Sequence, residues 1–134
     1  MNMLNKQATA IFKRLIAMTE ATGYVKINNA EGSFMPLSVE KVGIASDVMG
    51  VDMEIFSLAH YYQQNGDLMA DPEMTFFVYY ENIFPASFRQ DGLGIHRESL
   101  IQEEGVWKLA RKEQNDETIF ANMWLKNIQQ QQRI

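Results

Sequence analysis

Two histidines and one short polar stretch hold most of the chemical options in this chain. The histidines are His60 and His96, and the stretch runs Asn65-Gly66-Asp67-Leu68-Met69-Ala70-Asp71-Pro72-Glu73-Met74. His60 with Asp67, Asp71 or Glu73 is the set from which a metal-assisted hydrolase could be built, because imidazole and carboxylate together bind Zn²⁺. Asp91, just ahead of His96, adds a further carboxylate. The spacing gives this no support: there is no His-x-x-x-His, His-x-His or Glu-x-x-His. Asp67, Asp71 and Glu73 could offer oxygens to a hard cation, but their periodicity is not that of an EF-hand. A structural role explains the same stretch as a loop. Asn-Gly accepts positive φ, Asp side chains tie down nearby backbone N–H groups, and Pro72 fixes φ before the next strand. A lone histidine within a strand is a common structural occupant. His60, Asn65, Asp67, Asp71, Glu73 and Asp91 are therefore candidate binding residues of a motif loop. No catalytic residue, metal or cofactor is expected.

Other chemistries lack their marks. With no cysteine among 134 residues, disulfides, thiolate nucleophiles and zinc fingers are excluded. Gly92-Leu93-Gly94 is not completed to a dinucleotide fingerprint, and no Gly-x-x-x-x-Gly-Lys or Gly-x-Ser-x-Gly occurs. Twelve Lys+Arg against 17 Asp+Glu give a net charge of −5, which disfavours phosphate binding. No Lys or Arg stands between Lys41 and Arg89, so the aromatic-rich centre of the chain has no phosphate partners of its own. The opposite idea, an acidic DNA mimic of the antirestriction kind, would draw on Asp47, Asp52, Glu54, Asp67, Asp71, Glu73 and Glu81. Duplex DNA carries about one charge per 1.7 Å, a density far above this one.

The elements that must position these groups follow from periodicity. Leu4, Ala8, Ile11, Leu15 and Met18, broadened by Phe12 and Ile16, predict an amphipathic helix over about 3–21, with Asn2 at its start and Gly23 past its end. Tyr24–Ile27 and Phe34–Lys41 predict a hairpin, with Pro36 marking an edge or an irregular start. Residues 43–50 read as a connection. Val51–Tyr62 reads as a long strand, with His60 on the face that holds Glu54. A break at 63–67 precedes a second run, Met74–Tyr80, of dense β-propensity. Phe84-Pro85 reads as a turn. Ala86–Gln90 and Ile95–Ile101 flank the hairpin turn Asp91–Gly94, and Val106–Leu109 closes the strands. Ile119, Phe120, Met123, Trp124 and Ile128 line a second helix, capped by Asn115 or Asp116, with Gln129–Gln132 fraying. The expectation is one α+β domain over 1–134: an antiparallel sheet of about six strands flanked by an N-terminal and a C-terminal helix. With no signal peptide and no run of apolar residues long enough to span a bilayer, the expected location is the cytoplasm.

The stretch His60–Met74, with Gln90-Asp91-Gly92-Leu93-Gly94 and the later Trp124-Leu125-Lys126-Asn127, resembles an uncharacterised bacterial domain of unknown function seen in phage and conjugative-element proteins. The resemblance covers about 50–130, and the Asn-Gly-Asp-Leu-Met-x-Asp-Pro-Glu-Met run is its most specific part. It implies no activity and carries no catalytic residue across. Together with the aromatic and Met-rich composition, it implies an accessory protein of a mobile element: a non-enzymatic module that binds a protein partner, with a homodimer also possible, and neither nucleic acid nor membrane as a target.

Overall fold

The computed structural model describes residues 1–134 and has the α+β architecture expected from the sequence. Helix α1 spans Lys6–Ala17 and α2 spans Arg111–Gln132. Six strands lie between them in one antiparallel sheet: β1 (Tyr24–Ile27), β2 (Leu37–Val48), β3 (Val51–Gln64), β4 (Asp67–Tyr79), β5 (Asn82–Gln90) and β6 (Ile95–Glu98). Their spatial order follows the chain order. A separate hairpin, β7 (Leu100–Glu103) with β8 (Val106–Leu109), leads into α2.

Both helices cover the same face of the sheet. Alternation sends Leu37, Val39, Phe56, Leu58, Met74, Phe76, Ile83 and Phe88 into that face, where they meet Ile11, Phe12 and Leu15 of α1 and Trp124, Leu125 and Ile128 of α2. Phe12 is fully buried and packs against Phe56 and Phe76 with ring centroids 6.3 and 4.8 Å away. A smaller cluster lies on the opposite face. There Met53, Phe77 and Ala86 are roofed by the hairpin, whose Trp107 meets Phe77 edge-on at 5.4 Å and donates Nε1–H to the Ser46 carbonyl at 2.9 Å. The hairpin roofs only one end of this face, leaving the other end open.

Several local expectations are corrected. Helix α1 is shorter than 3–21, and its cap is Asn5, whose Oδ1 accepts from the Ala8 N–H at 2.8 Å. Residues 43–48 are not a connection but a continuation of β2, because β-bulges after Lys41 and Ala45 absorb the glycine and the irregularity. Pro36 lies just outside this strand. The break at 63–67 contracts to a two-residue turn with Asn65 at φ +54° and Gly66 at +85°. Those values suit the twist of the flanking strands. Most of the motif stretch is consequently strand β4, not loop. Phe84 and Pro85 lie within β5 at a bulge, and the chain reverses instead at Tyr80-Glu81.

Helix α2 departs furthest from expectation. It starts at Arg111 without a side-chain cap, so neither Asn115 nor Asp116 caps it. Ile119 and Met123 face solvent, whereas Gln114, Glu117, Thr118, Ala121, Trp124, Leu125, Ile128 and Gln132 are buried. Gln129–Gln132 stay helical because Gln132 is fully enclosed: its Oε1 accepts from Asn29 N–H at 2.8 Å and its Nε2 donates to the Met35 carbonyl at 3.1 Å. No helix is long and apolar enough to cross a membrane.

Candidate functional site

The open end of the hairpin-side face carries two rows of side chains, each running across all six strands. The registers Lys26↔Ser38, Ser38↔Ala59, Ala59↔Glu73, Glu73↔Arg89 and Arg89↔His96 define one row. Tyr24↔Glu40, Glu40↔Ser57, Ser57↔Thr75, Thr75↔Ser87 and Ser87↔Glu98 define the next. Directly opposed residues point to the same side of a sheet, so both rows share one surface.

That surface is pre-organised by hydrogen bonds. Tyr61 donates its hydroxyl to Glu73 Oε2 at 2.6 Å. Burial, reinforced by that bond, pushes the Tyr61 phenol well above its usual range. Arg89 grips Asp91 through Nε–H to Oδ1 at 2.7 Å and Nη2 to Oδ2 at 3.2 Å. Asp91 also accepts the Ala70 backbone N–H at 2.7 Å, and the Arg89 bonds hold its carboxyl below the ordinary carboxylate value. Thr75 and Ser87 share a hydroxyl–hydroxyl bond of 2.5 Å. Two clefts flank this array. One of about 440 Å³ lies toward the hairpin, with Glu73, Thr75, Ser87, Arg89, His96 and Trp107 among its lining residues. The other, of about 330 Å³, is lined by residues including Tyr24, Lys26, Ser38, Tyr61 and Tyr62. Volumes of this order suit a small ligand or an inserted side chain.

The residues singled out from sequence fall in different places. Glu73 and Asp91 belong to the open face. Asp71 accepts from Gln90 Nε2 at 2.8 Å. Asn65 forms the β3–β4 turn, and exposed Asp67 follows it, opposite Gln64. His60 is on the other side of the sheet. It is buried against Trp124 at 5.6 Å and donates Nδ1–H to the Pro36 carbonyl at 3.0 Å. Burial lowers its pKa below the ordinary 6.5. The sheet thus separates His60 from Glu73. Nowhere do His, Asp and Glu side chains gather in a group of three that could hold a metal ion, so the convergence needed for a His60-centred hydrolase is not formed. The acidic residues of the DNA-mimic alternative are scattered too: Glu54 pairs with Lys41, Glu81 with Lys13, and Glu73 faces away from both helices.

This architecture has a family. Over residues 6–134 the chain matches the family described as Domain of unknown function (DUF6908). The chain belongs to that family. The match takes in α1 and the β1–β2 hairpin as well as the region from residue 50 onward that suggested an uncharacterised domain. No curated protein and no solved structure matches the chain.

Sequence reasoning missed the contributions of Tyr61 and Arg89 to the open face. It also missed a polar seam beneath α2. Gln114 donates Nε2–H to the carbonyls of Asn2 and Pro85 at 2.6 and 3.2 Å, and its Oε1 accepts the Asn2 N–H at 2.9 Å. Glu117, 2 % exposed, approaches Ser99 at the crossing from β6 to β7. The signal was present in the spacing: stepping back from Ile128 by threes and fours reaches Leu125, Ala121, Glu117 and Gln114.

Proposed function

We propose that this member of the family is a non-enzymatic module that binds a protein partner through the open end of the hairpin-side face, and that it serves a mobile genetic element. The observation that carries this reading is the hydrogen-bonded array Tyr61–Glu73 and Arg89–Asp91, placed between two clefts on the face away from the helices, one of them walled on one side by the hairpin. Fixed polar groups beside tyrosines and a tryptophan suit protein recognition, where aromatic anchors supply area and polar groups supply register. Both charge signs lie in one row, which favours a polypeptide of mixed charge over a polyanion.

The test is a paired affinity capture from cells carrying the native gene, using wild type and a Glu73→Ala/Arg89→Ala double variant as baits. A partner retained by the wild type and lost by the folded variant supports the reading. Equal recovery by both baits places binding elsewhere. The genes flanking the coding sequence test the mobile-element assignment separately, since a conserved housekeeping neighbourhood would contradict it.

A further inference from the structure

Part of the sheet edge, in the second half of β2, has no strand beside it. Strand β1 pairs only with Leu37–Glu40 of β2, and Lys41 N–H reaches the Gly23 carbonyl at 2.8 Å as the last bond on that side. Beyond it β2 continues to Val48 with β3 on its inner side only. The strand-free run is Val42-Gly43-Ile44-Ala45-Ser46, which has no charge and no proline; Val42 and Ile44 are 55 % and 63 % exposed, Ala45 is buried, and the Ser46 carbonyl meets the Trp107 Nε1–H. Edge strands that stay single normally carry an inward charge, a proline, a bulge or a cover, and of these the run has its two bulges. This one has its charges only at the two ends: Lys41 before it and Asp47 after it.

We propose that this edge is a homodimer interface, in which Val42–Ser46 of one copy pairs antiparallel with the same segment of a second copy. The end charges select both occupant and direction. Antiparallel pairing carries Lys41 of each copy toward Asp47 of the other, at both ends, whereas parallel pairing sets like beside like. The Lys41–Glu54 ion pair does not prevent this, because both side chains are about half exposed and the ammonium has donors to spare. Two six-stranded sheets joined in this way form one continuous sheet, and the interface is isologous as a two-fold dimer requires. The twist introduced by the β-bulges on either side of Ile44 limits the pairing to these few residues, which favours a closed pair over an open stack.

The chain has no cysteine, so a single introduced thiol reports on this edge alone. Full-length wild type is expected to sediment as a dimer, and Ile44→Lys as a monomer with an unchanged circular dichroism spectrum. Ile44→Cys is expected to form a disulfide-linked dimer on mild oxidation, whereas Ile119→Cys, on the exposed side of α2, is not. If Ile44→Lys does not fold, the cross-linking comparison decides. A wild type that is monomeric at every concentration overturns the proposal. So does a dimer that survives Ile44→Lys, or an Ile44→Cys protein that cross-links no faster than Ile119→Cys.

Discussion

Ser99 Oγ stands 2.8 Å from Glu117 Oε1 and 3.2 Å from the Ala86 carbonyl, in a place closed to water. One hydroxyl proton faces two acceptors when Glu117 is ionised, and Glu117 Oε2 has no partner at all. A protonated carboxyl resolves this, since it donates to Ser99 while Ser99 donates to Ala86. Burial accordingly pushes the Glu117 carboxyl from 4.5 up to about 7, with Ser99 and Arg97 opposing the rise and Glu113 and Asp116 adding to it.

The sign of the pH effect follows. Below pH 4.5 the folded and unfolded chains both hold this proton, so burial carries no ionic penalty there. As pH rises, the unfolded chain releases its proton first, and stability is lost progressively until the folded carboxyl has ionised above about 7. The displacement corresponds to roughly 3 kcal/mol. Glu117→Gln keeps the shape and the bond to Ser99 but cannot ionise. Urea unfolding at pH 5 and pH 8 should show the variant more stable than wild type at pH 8, by about 1–3 kcal/mol, and less pH-dependent between the two. An unchanged slope would exclude Glu117 as its source.

His60 acts on the acid side. Because burial lowers its pKa from 6.5, the folded protein resists the proton that the unfolded chain accepts, and stability falls as pH drops below 6.5. An NMR titration of the ring should give a midpoint below 6.5. A midpoint above that value would contradict a neutral imidazole packed against Trp124.

Gln132 anchors the C-terminal end of α2. Gln132→Ala leaves the Asn29 N–H without its acceptor and the Met35 carbonyl without its donor. The expected cost is about 1–3 kcal/mol in denaturant unfolding. A frayed helix end, by contrast, would tolerate the change with no measurable loss.

Trp107 fixes the roof of the smaller core. Trp107→Ala removes the contact with Phe77 and the bond to Ser46, and should cost roughly 2–4 kcal/mol. Amide exchange should speed up in Val106–Leu109 and Leu100–Glu103, with the β3–β4 amides changed far less. Uniform loss of protection would show that the hairpin has no stability separate from the sheet.

The fold was legible because β3, β4 and α1 announce themselves through period and propensity. Phe56, Leu58, Met74 and Phe76 alternate cleanly, and Ala8, Ile11, Phe12 and Leu15 keep helical spacing. β2 was truncated because Gly43 looks like a turn, whereas a bulge accommodates it inside a strand. The inner side of α2 is only half legible: Trp124 and Ile128 are buried as their type suggests, but apolar type does not mark the polar positions beside them. Gln114, Glu117 and Gln132 lie on the buried side because each finds a partner there, while Ile119 and Met123 are left outside. The candidate site was half visible. Glu73 and Asp91 were marked by the motif, but their partners Tyr61 and Arg89 come from neighbouring strands, and only register brings such pairs together.

The strictly sequential strand order also determines how the molecule comes together. Each strand bonds to its neighbour in the chain, so the sheet can grow by short loop closures of low entropic cost. Sealing its helical face is a different event. Asn2 must meet Gln114 across 112 positions and Asn29 must meet Gln132 across 103. Until those ends join, the part of the helical face that α2 covers stands open to water. The docking of α2 is thus the contact of longest chain separation, and it converts a meander with one helix on it into a closed protein.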